Sequence, residues 1–237
     1  MTRTQWVALT AVLLALVFAG TAALASGGGT GASGGAGAGG SGRTPSSDSA
    51  DAGFARDMAV HHQQAVEMSF LVRDSTDDED VRRLAYDIAN TQANQRGMLL
   101  GWLELWGLPK TDAGKEPMEW MAGEDGMGDM AGMDHGADGA DGAHGGHQAH
   151  DGSLMPGMAT NTELKQLREA RGKAAEVLFL QLMTDHHKGG VSMAQGCVTL
   201  CTNATEKKLA EGMVAAQRSE MTLMADMLKQ RGAKARS

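Results

Sequence analysis

The chain has 237 residues and a formal net charge of −8, and only 4% of its residues are aromatic. An acidic chain is unsuited to nucleic acid, whose phosphates recruit Lys and Arg. Two cysteines, Cys197 and Cys201, exclude a disulfide framework, and the 17 methionines are ambiguous because Met is normally flexible core filler.

Residues 1–25 read as a signal peptide. Arg3 precedes an apolar run over 6–24, and Ala23-Leu24-Ala25 is a small-x-small cleavage site. The run also approaches spanning length, so an uncleaved N-terminal anchor is the alternative. Both place the protein outside the cytoplasm, secreted or in the cell envelope, with no other membrane contact. Cleavage would remove one Arg and no acid, leaving 20 Lys and Arg against 29 Asp and Glu, or −9. Residues 26–48, almost all Gly, Ala and Ser as far as Gly42, read as a disordered tether.

A first helical hairpin is expected over 49–106. Its first helix starts near Ser49 or Asp51 and runs to about Arg73. The polar stretch 74–79 supplies N-cap residues for a second helix over 79–106, which Gly107-Leu108-Pro109 stops. Residues 107–160 lack apolar periodicity and are rich in Gly, Asp, His and Met, which predicts a long disordered linker. A second hairpin follows over 161–232. Thr160-Asn-Thr-Glu163 has capping-box spacing for a short helix that Gly172 breaks. Longer helices are expected over 174–200 and 206–230. One hairpin buries too little apolar surface to stand alone, so the two should pair into one all-α four-helix bundle. Assembly into a homo-oligomer is left open.

The hairpins are copies. Phe54, Met58, His61, His62, Val66 and Met68 recur as Phe179, Met183, His186, His187, Val191 and Met193, all displaced by 125 residues. The offset persists from Leu84-Ala85 to Leu209-Ala210, from Gln92 to Gln217 and from Leu103 to Leu228, so the unit is duplicated. At 100° per residue, Phe54, Met58, His61, His62, Ala65 and Met68 fall within about 120° of one helix face. That face is also the apolar one. The His residues therefore have two roles open to them: metal ligands together with Met, or core groups bonded to Gln92, Gln95, Gln217 and Glu220 on the facing helices. Asp57 and Asp185 lie nearby in sequence but are not equivalent positions. A di-iron oxidase requires Glu-x-x-His, which occurs nowhere in the chain, so a non-enzymatic protein is expected.

The linker adds a second candidate. Residues 118–158 hold Met118, Met121, Met127, Met130, Met133, Met155 and Met158, with His135, His144, His147 and His150. Core filling does not account for Met in a Gly/Asp-rich stretch. Thioether and imidazole together favour copper, as Cu(I) or Cu(II); zinc would suit the His but leave the Met unexplained. Binding through His should weaken below about pH 6, as imidazole protonates. Cys197 and Cys201, one helical turn apart and outside the repeat, are open to three states: a disulfide, a copper-binding pair, or free buried thiols.

The phrase Phe-x-x-x-Met-x-x-His-His with Met six residues on, followed by Gln-x-x-Glu/Gln, resembles the family known as domain of unknown function 305. The resemblance covers about 51–106 and 174–230. It implies a ferritin-like four-helix bundle, often secreted, with copper-binding proteins of the CopM type among its members. On it, Met58, His61, His62, Met68, Met183, His186, His187 and Met193 are the family-matching ligand candidates. Two departures separate the copies: Gln95 against Glu220 and Ala65 against Gly190. The resulting expectation is an exported protein that buffers or sequesters copper, with metal ions as its partners. The alternative is a structural or interaction bundle whose His–Gln pairs are core hydrogen bonds.

Overall fold

In the computed structural model, residues 44–122 and 148–236 are described. Five α-helices form there: α1 Ala50–Arg73, α2 Glu79–Leu105, α3 Asn161–Glu169, α4 Gly172–Leu200 and α5 Ala204–Gln230. No strand occurs among the described residues. The signal-peptide and tether readings fall outside them, apart from the last few tether positions. No helix among the described residues is long and apolar enough to cross a membrane.

Local chemistry sets the helix ends. Ser49 caps α1 by accepting from the Ala52 amide. Asp78 and Asn203, equivalent positions of the two copies, each cap the second helix of their hairpin through two backbone amides. α2 and α5 also end alike. Gly107 and Gly232 take positive φ, and the next residues, Leu108 and Ala233, donate back to Leu103 O and Leu228 O. The capping box of Thr160 and Glu163 is formed in full. α5 begins two residues earlier than the pattern predicts because Asn203 serves as its cap.

α1 and α4 run antiparallel and bring the hairpins together, with α2 and α5 flanking them. The acids at the start of each central helix fasten the turn of the opposite hairpin. Asp51 accepts from the Thr202 and Asn203 amides at 2.9 and 2.6 Å. Its equivalent Glu176 accepts from the Thr76 hydroxyl at 2.6 Å and from Arg231 at 2.7 Å. Asp51 and Glu176, 125 residues apart, thus make comparable contacts with the turn of the other hairpin.

The linker expected over 107–160 carries packed structure at both described ends. Met118 and Trp120 attach to α1 through Asp57, which accepts from the Met118 amide at 2.7 Å and the Trp120 indole at 2.9 Å. The Trp120 ring fills the space left by Gly53, and Met121 fills that left by Gly196. At the other end, residues 153–159 form a strap across α1 and α4. Met155 is 1% exposed and belongs to the core. Gln64 holds the Ala159 backbone with both amide atoms, at 2.8 and 2.7 Å. The expectation that linker Met has no core to fill is thus corrected for Met118, Met121, Met155 and Met158. These side chains enter holes one at a time, which leaves no periodic trace in the sequence.

The strap also explains a break in the repeat. The counterpart of Gln64 is Gly189, where any Cβ would overlap Pro156 O. One copy grips the strap and the other makes room for it. Gly189→Ala should displace the strap at a cost of about 1–3 kcal/mol, seen as a Tm lowered by several degrees in thermal denaturation, whereas Gly212→Ala, which meets nothing within 4 Å, should be neutral or stabilising.

Candidate metal centre

The two His-His pairs meet in the middle of the bundle. His61, His62, His186 and His187 are all 0% exposed. The equivalent rings of His61 and His186 face each other with centroids 3.7 Å apart and planes tilted by 32°. Apolar clusters lie on either side of this layer. One contains Met58 and Met193, and the other contains Met68 and Met183. Because α1 and α4 are antiparallel, each cluster takes one Met from each copy. The helix-face reading thus places eight candidate ligands at the hairpin interface.

The hydrogen bonds define which ring atoms remain. His186 Nε2–H donates to His61 O at 3.0 Å, His187 Nε2–H to a Glu220 carboxylate oxygen at 2.5 Å, and His61 Nε2–H to Pro156 O at 3.3 Å. Each of these partners is an acceptor only, so each ring carries its proton on Nε2. In all three rings Nδ1 is buried without a hydrogen-bond partner, and in a neutral ring it is a bare lone pair. Metal-ligating imidazoles are held in this way, with one ring nitrogen donating to oxygen and the other left for the ion. In His62 neither ring nitrogen closes a hydrogen bond of good geometry, nor does either amide atom of the neighbouring Gln92. The expected His–amide pairing is present only loosely, with Gln95 and Gln92 acting on the His62 ring. His187, with Glu220, has a well-formed bond to the partner anticipated for it.

Burial keeps His61, His62 and His186 neutral. Desolvation is the largest influence on His61 and His62 and holds both at about 3, against an ordinary value of 6.5; neighbouring imidazoles add to the effect. His186 is pushed well below 6.5, again by burial first and then by His61, His187 and His62. Protonation of imidazole, the reason for expecting weaker binding below about pH 6, does not apply to His61, His62 and His186, which stay unprotonated well into the acid range while the fold persists. Asp57 is committed to the 118–120 turn, and burial raises its carboxyl. Asp185 pairs with Lys188 at 3.0 Å. Neither joins the His layer.

The remaining candidates lie elsewhere. Met127, Met130, Met133, His135, His144 and His147 fall outside the described residues. His150 is exposed, and its Nδ1 lies 3.0 Å from Gln148 O. Cys197 and Cys201 are joined in a disulfide, with Cα atoms 4.8 Å apart. This is accommodated because α4 ends at Leu200 and Cys201 is its extended cap. The strap residues Pro156 and Gln64 were not singled out from the sequence, and the one available signal was the mismatch between Gln64 and Gly189 in an otherwise regular repeat.

Comparison with known proteins fits this architecture. The family described as "Domain of unknown function (DUF305)" matches residues 51–228. The chain belongs to that family. A DUF305 protein of Streptomyces coelicolor, whose description includes the word secreted, is 56% identical; the match covers 81% of this chain and 99% of that one, with a TM-score of 0.66. A DUF305 fragment from Deinococcus radiodurans is 24% identical over 76% of this chain and 96% of that one, with a TM-score of 0.56. CopM in its Cu(I)-bound form shares the fold at 18% identity, over 76% of this chain and 96% of that one, with a TM-score of 0.52. No curated protein matches.

The buried neutral rings tie stability to pH. In the unfolded chain His takes up a proton near pH 6.5, while in the folded protein His61 and His62 do so only near 3. Between these values the unfolded state binds more protons, so stability is complete above pH 6.5 and falls as pH drops toward 3. Each ring contributes about 1.4 kcal/mol per pH unit in that window. Urea denaturation at stepped pH should show this decline, and His62→Leu should make it shallower by about one ring's share.

Proposed function

We propose that the chain is an exported copper-binding protein that buffers or sequesters copper. The observation that carries this reading is the set of three Nε2-anchored imidazoles whose Nδ1 lone pairs are buried and unpaired. Leaving such atoms unsatisfied costs roughly 1–3 kcal/mol each, which a core built only for stability would avoid. Neutral imidazole accepts either copper oxidation state, and thioether selects Cu(I). His61, His62, His186 and His187 would hold the ion, with Met58, Met68, Met183 and Met193 as soft donors on either side. CopM supports the reading through its fold, since it has structures in Cu(I)- and Cu(II)-bound forms. Export rests on the signal-peptide pattern of residues 1–25. The Met and His of 127–147, with His150, would add weaker capacity. Lacking Glu-x-x-His, the bundle is read as a binding protein rather than an enzyme.

The layer is closed, so uptake requires movement. The strap covers it through Pro156 O on His61 and through the Gln64–Ala159 pair. Displacing the strap would free the His61 Nε2–H and open a path from the linker side.

Two measurements test the assignment. Copper titration by native mass spectrometry and calorimetry should show tight binding that survives deletion of residues 123–147 and persists at pH 5. His62→Leu should lower affinity at least tenfold while raising the Tm of the metal-free protein, because it removes two unpaired buried nitrogens. Copper at a hundred times its Kd should stabilise the wild-type fold by about 2.7 kcal/mol. A wild-type affinity no tighter than that of the variant with all four His replaced would sink the proposal.

A further inference from the structure

A second cluster of ligating atoms lies at the end of the bundle, away from the His layer. The sulfurs of Cys197 and Cys201 and a carboxylate oxygen of Glu206 all lie within 4.8 Å of one another. Glu206 is 0% exposed, Cys197 0% and Cys201 3%. Neither Glu206 oxygen completes a hydrogen bond of good geometry; the group rests against Asp51, itself 1% exposed.

The duplication supplies an internal comparison. At the positions equivalent to Cys197, Cys201 and Glu206, the first copy has Val72, Thr76 and Val81. Val72 and Val81 are fully buried there, so the fold needs neither sulfur nor carboxylate at these places. The charge environment differs as well. Glu176, the counterpart of Asp51, is neutralised by Arg231 at 2.7 Å. The counterpart of Arg231 is Trp106. The end of the bundle around Glu206 thus holds two carboxyl groups and two sulfurs where the opposite end has two valines, a threonine and an acid–arginine pair. Among the described residues neither Asp51 nor Glu206 forms an ion pair. An acid buried in place of valine, with no cation beside it, is costly unless a cation can occupy the site.

We propose that Cys197, Cys201 and Glu206 form a redox-gated site for a thiophilic divalent ion of the zinc class. With the disulfide closed, the sulfurs cannot ligate. A dithiol reductant opens it: the Cys197–Cys201 S–S bond breaks, two protein thiols form, and the reductant becomes a disulfide. Zn(II) then binds the two sulfurs as thiolates together with the Glu206 carboxylate, and the two thiol protons pass to solvent. The carboxylate decides the class of ion. Two thiolates alone satisfy Cu(I), whereas a hard oxygen in the set suits a borderline divalent ion. Cys201, the more exposed sulfur and a helix cap rather than a helix residue, is the point of attack for the reductant.

The test uses the full-length protein with Co(II) as a spectroscopic stand-in for Zn(II), and a phosphine as reductant. The phosphine takes its oxygen from water as the disulfide becomes two thiols. The reduced protein should bind one equivalent of Co(II) with a thiolate-to-metal charge-transfer band, and Zn(II) should bleach that band. The oxidised protein and the C197S/C201S variant should show no band. Glu206→Gln should keep the band and weaken affinity by about tenfold or more. Three outcomes would overturn the proposal: no band in a reduced protein that keeps its helical circular dichroism, loss of helicity on reduction, or an unchanged affinity in Glu206→Gln. Copper binding at the His layer does not pass through the disulfide, so failure here leaves the copper assignment untouched, and failure of copper binding leaves the charge-transfer result intact.

Discussion

Everything distinctive about this bundle depends on burying four imidazoles where α1 crosses α4. A four-helix core is ordinarily filled with aliphatic side chains, and a polar group there must be satisfied or it destabilises the fold. Here the satisfaction is one-sided. Three rings spend their N–H on a carbonyl or carboxylate and leave the other nitrogen bare. The same burial that makes this arrangement costly keeps His61, His62 and His186 unprotonated, so one physical cause produces both the cost and the neutral state of these rings. The two Met pairs extend the layer into the apolar clusters on either side without further polar cost, since a thioether packs as a hydrophobe until it meets a soft ion.

The 125-residue correspondence relates the contacts of the two hairpins, and its exceptions account for the differences between them. Exact copies would place His61 and His186 in identical surroundings. The strap at 153–159 prevents this by giving His61 the Pro156 carbonyl, while His186 takes the backbone oxygen of His61 itself. Gln64 and Gly189 have diverged around this insertion, one to bind the strap and the other to admit it. Asp51 and Glu176 have likewise kept their role in fastening the opposite hairpin while their surroundings changed, with arginine at one end and a cystine and second acid at the other. Asymmetry thus lies at the ends of the bundle, at the strap and within the His layer, where His187 bonds Glu220 and its equivalent His62 has no such bond.

Much of this was legible in the residues. Helix ends could be read because caps are local: Ser49, Asp78, Thr160 with Glu163, Asn203, Gly107 and Gly232 act through neighbours in the chain. The shared face of Met58, His61, His62 and Met68 could be read because helical periodicity fixes it. The packed ends of the linker could not. Trp120 over Gly53, Met121 over Gly196 and Met155 in the core are single insertions into holes made by distant helices, and no periodic pattern marks them. Composition alone therefore assigned those Met residues to the solvent side.

The sequence by itself determined the repeat, the hairpins, the buried face and the residue types that gather there, because these follow from spacing and local conformational preference. The tertiary structure alone decided which nitrogen of His61, His186 and His187 is bound and which is bare, since that depends on acceptors up to 125 residues away. It also decided that His61, His62 and His186 are neutral, a consequence of complete desolvation. And it decided that Cys197, Cys201 and Glu206 converge, with the turn between α4 and α5 held by Asp51 from the opposite hairpin.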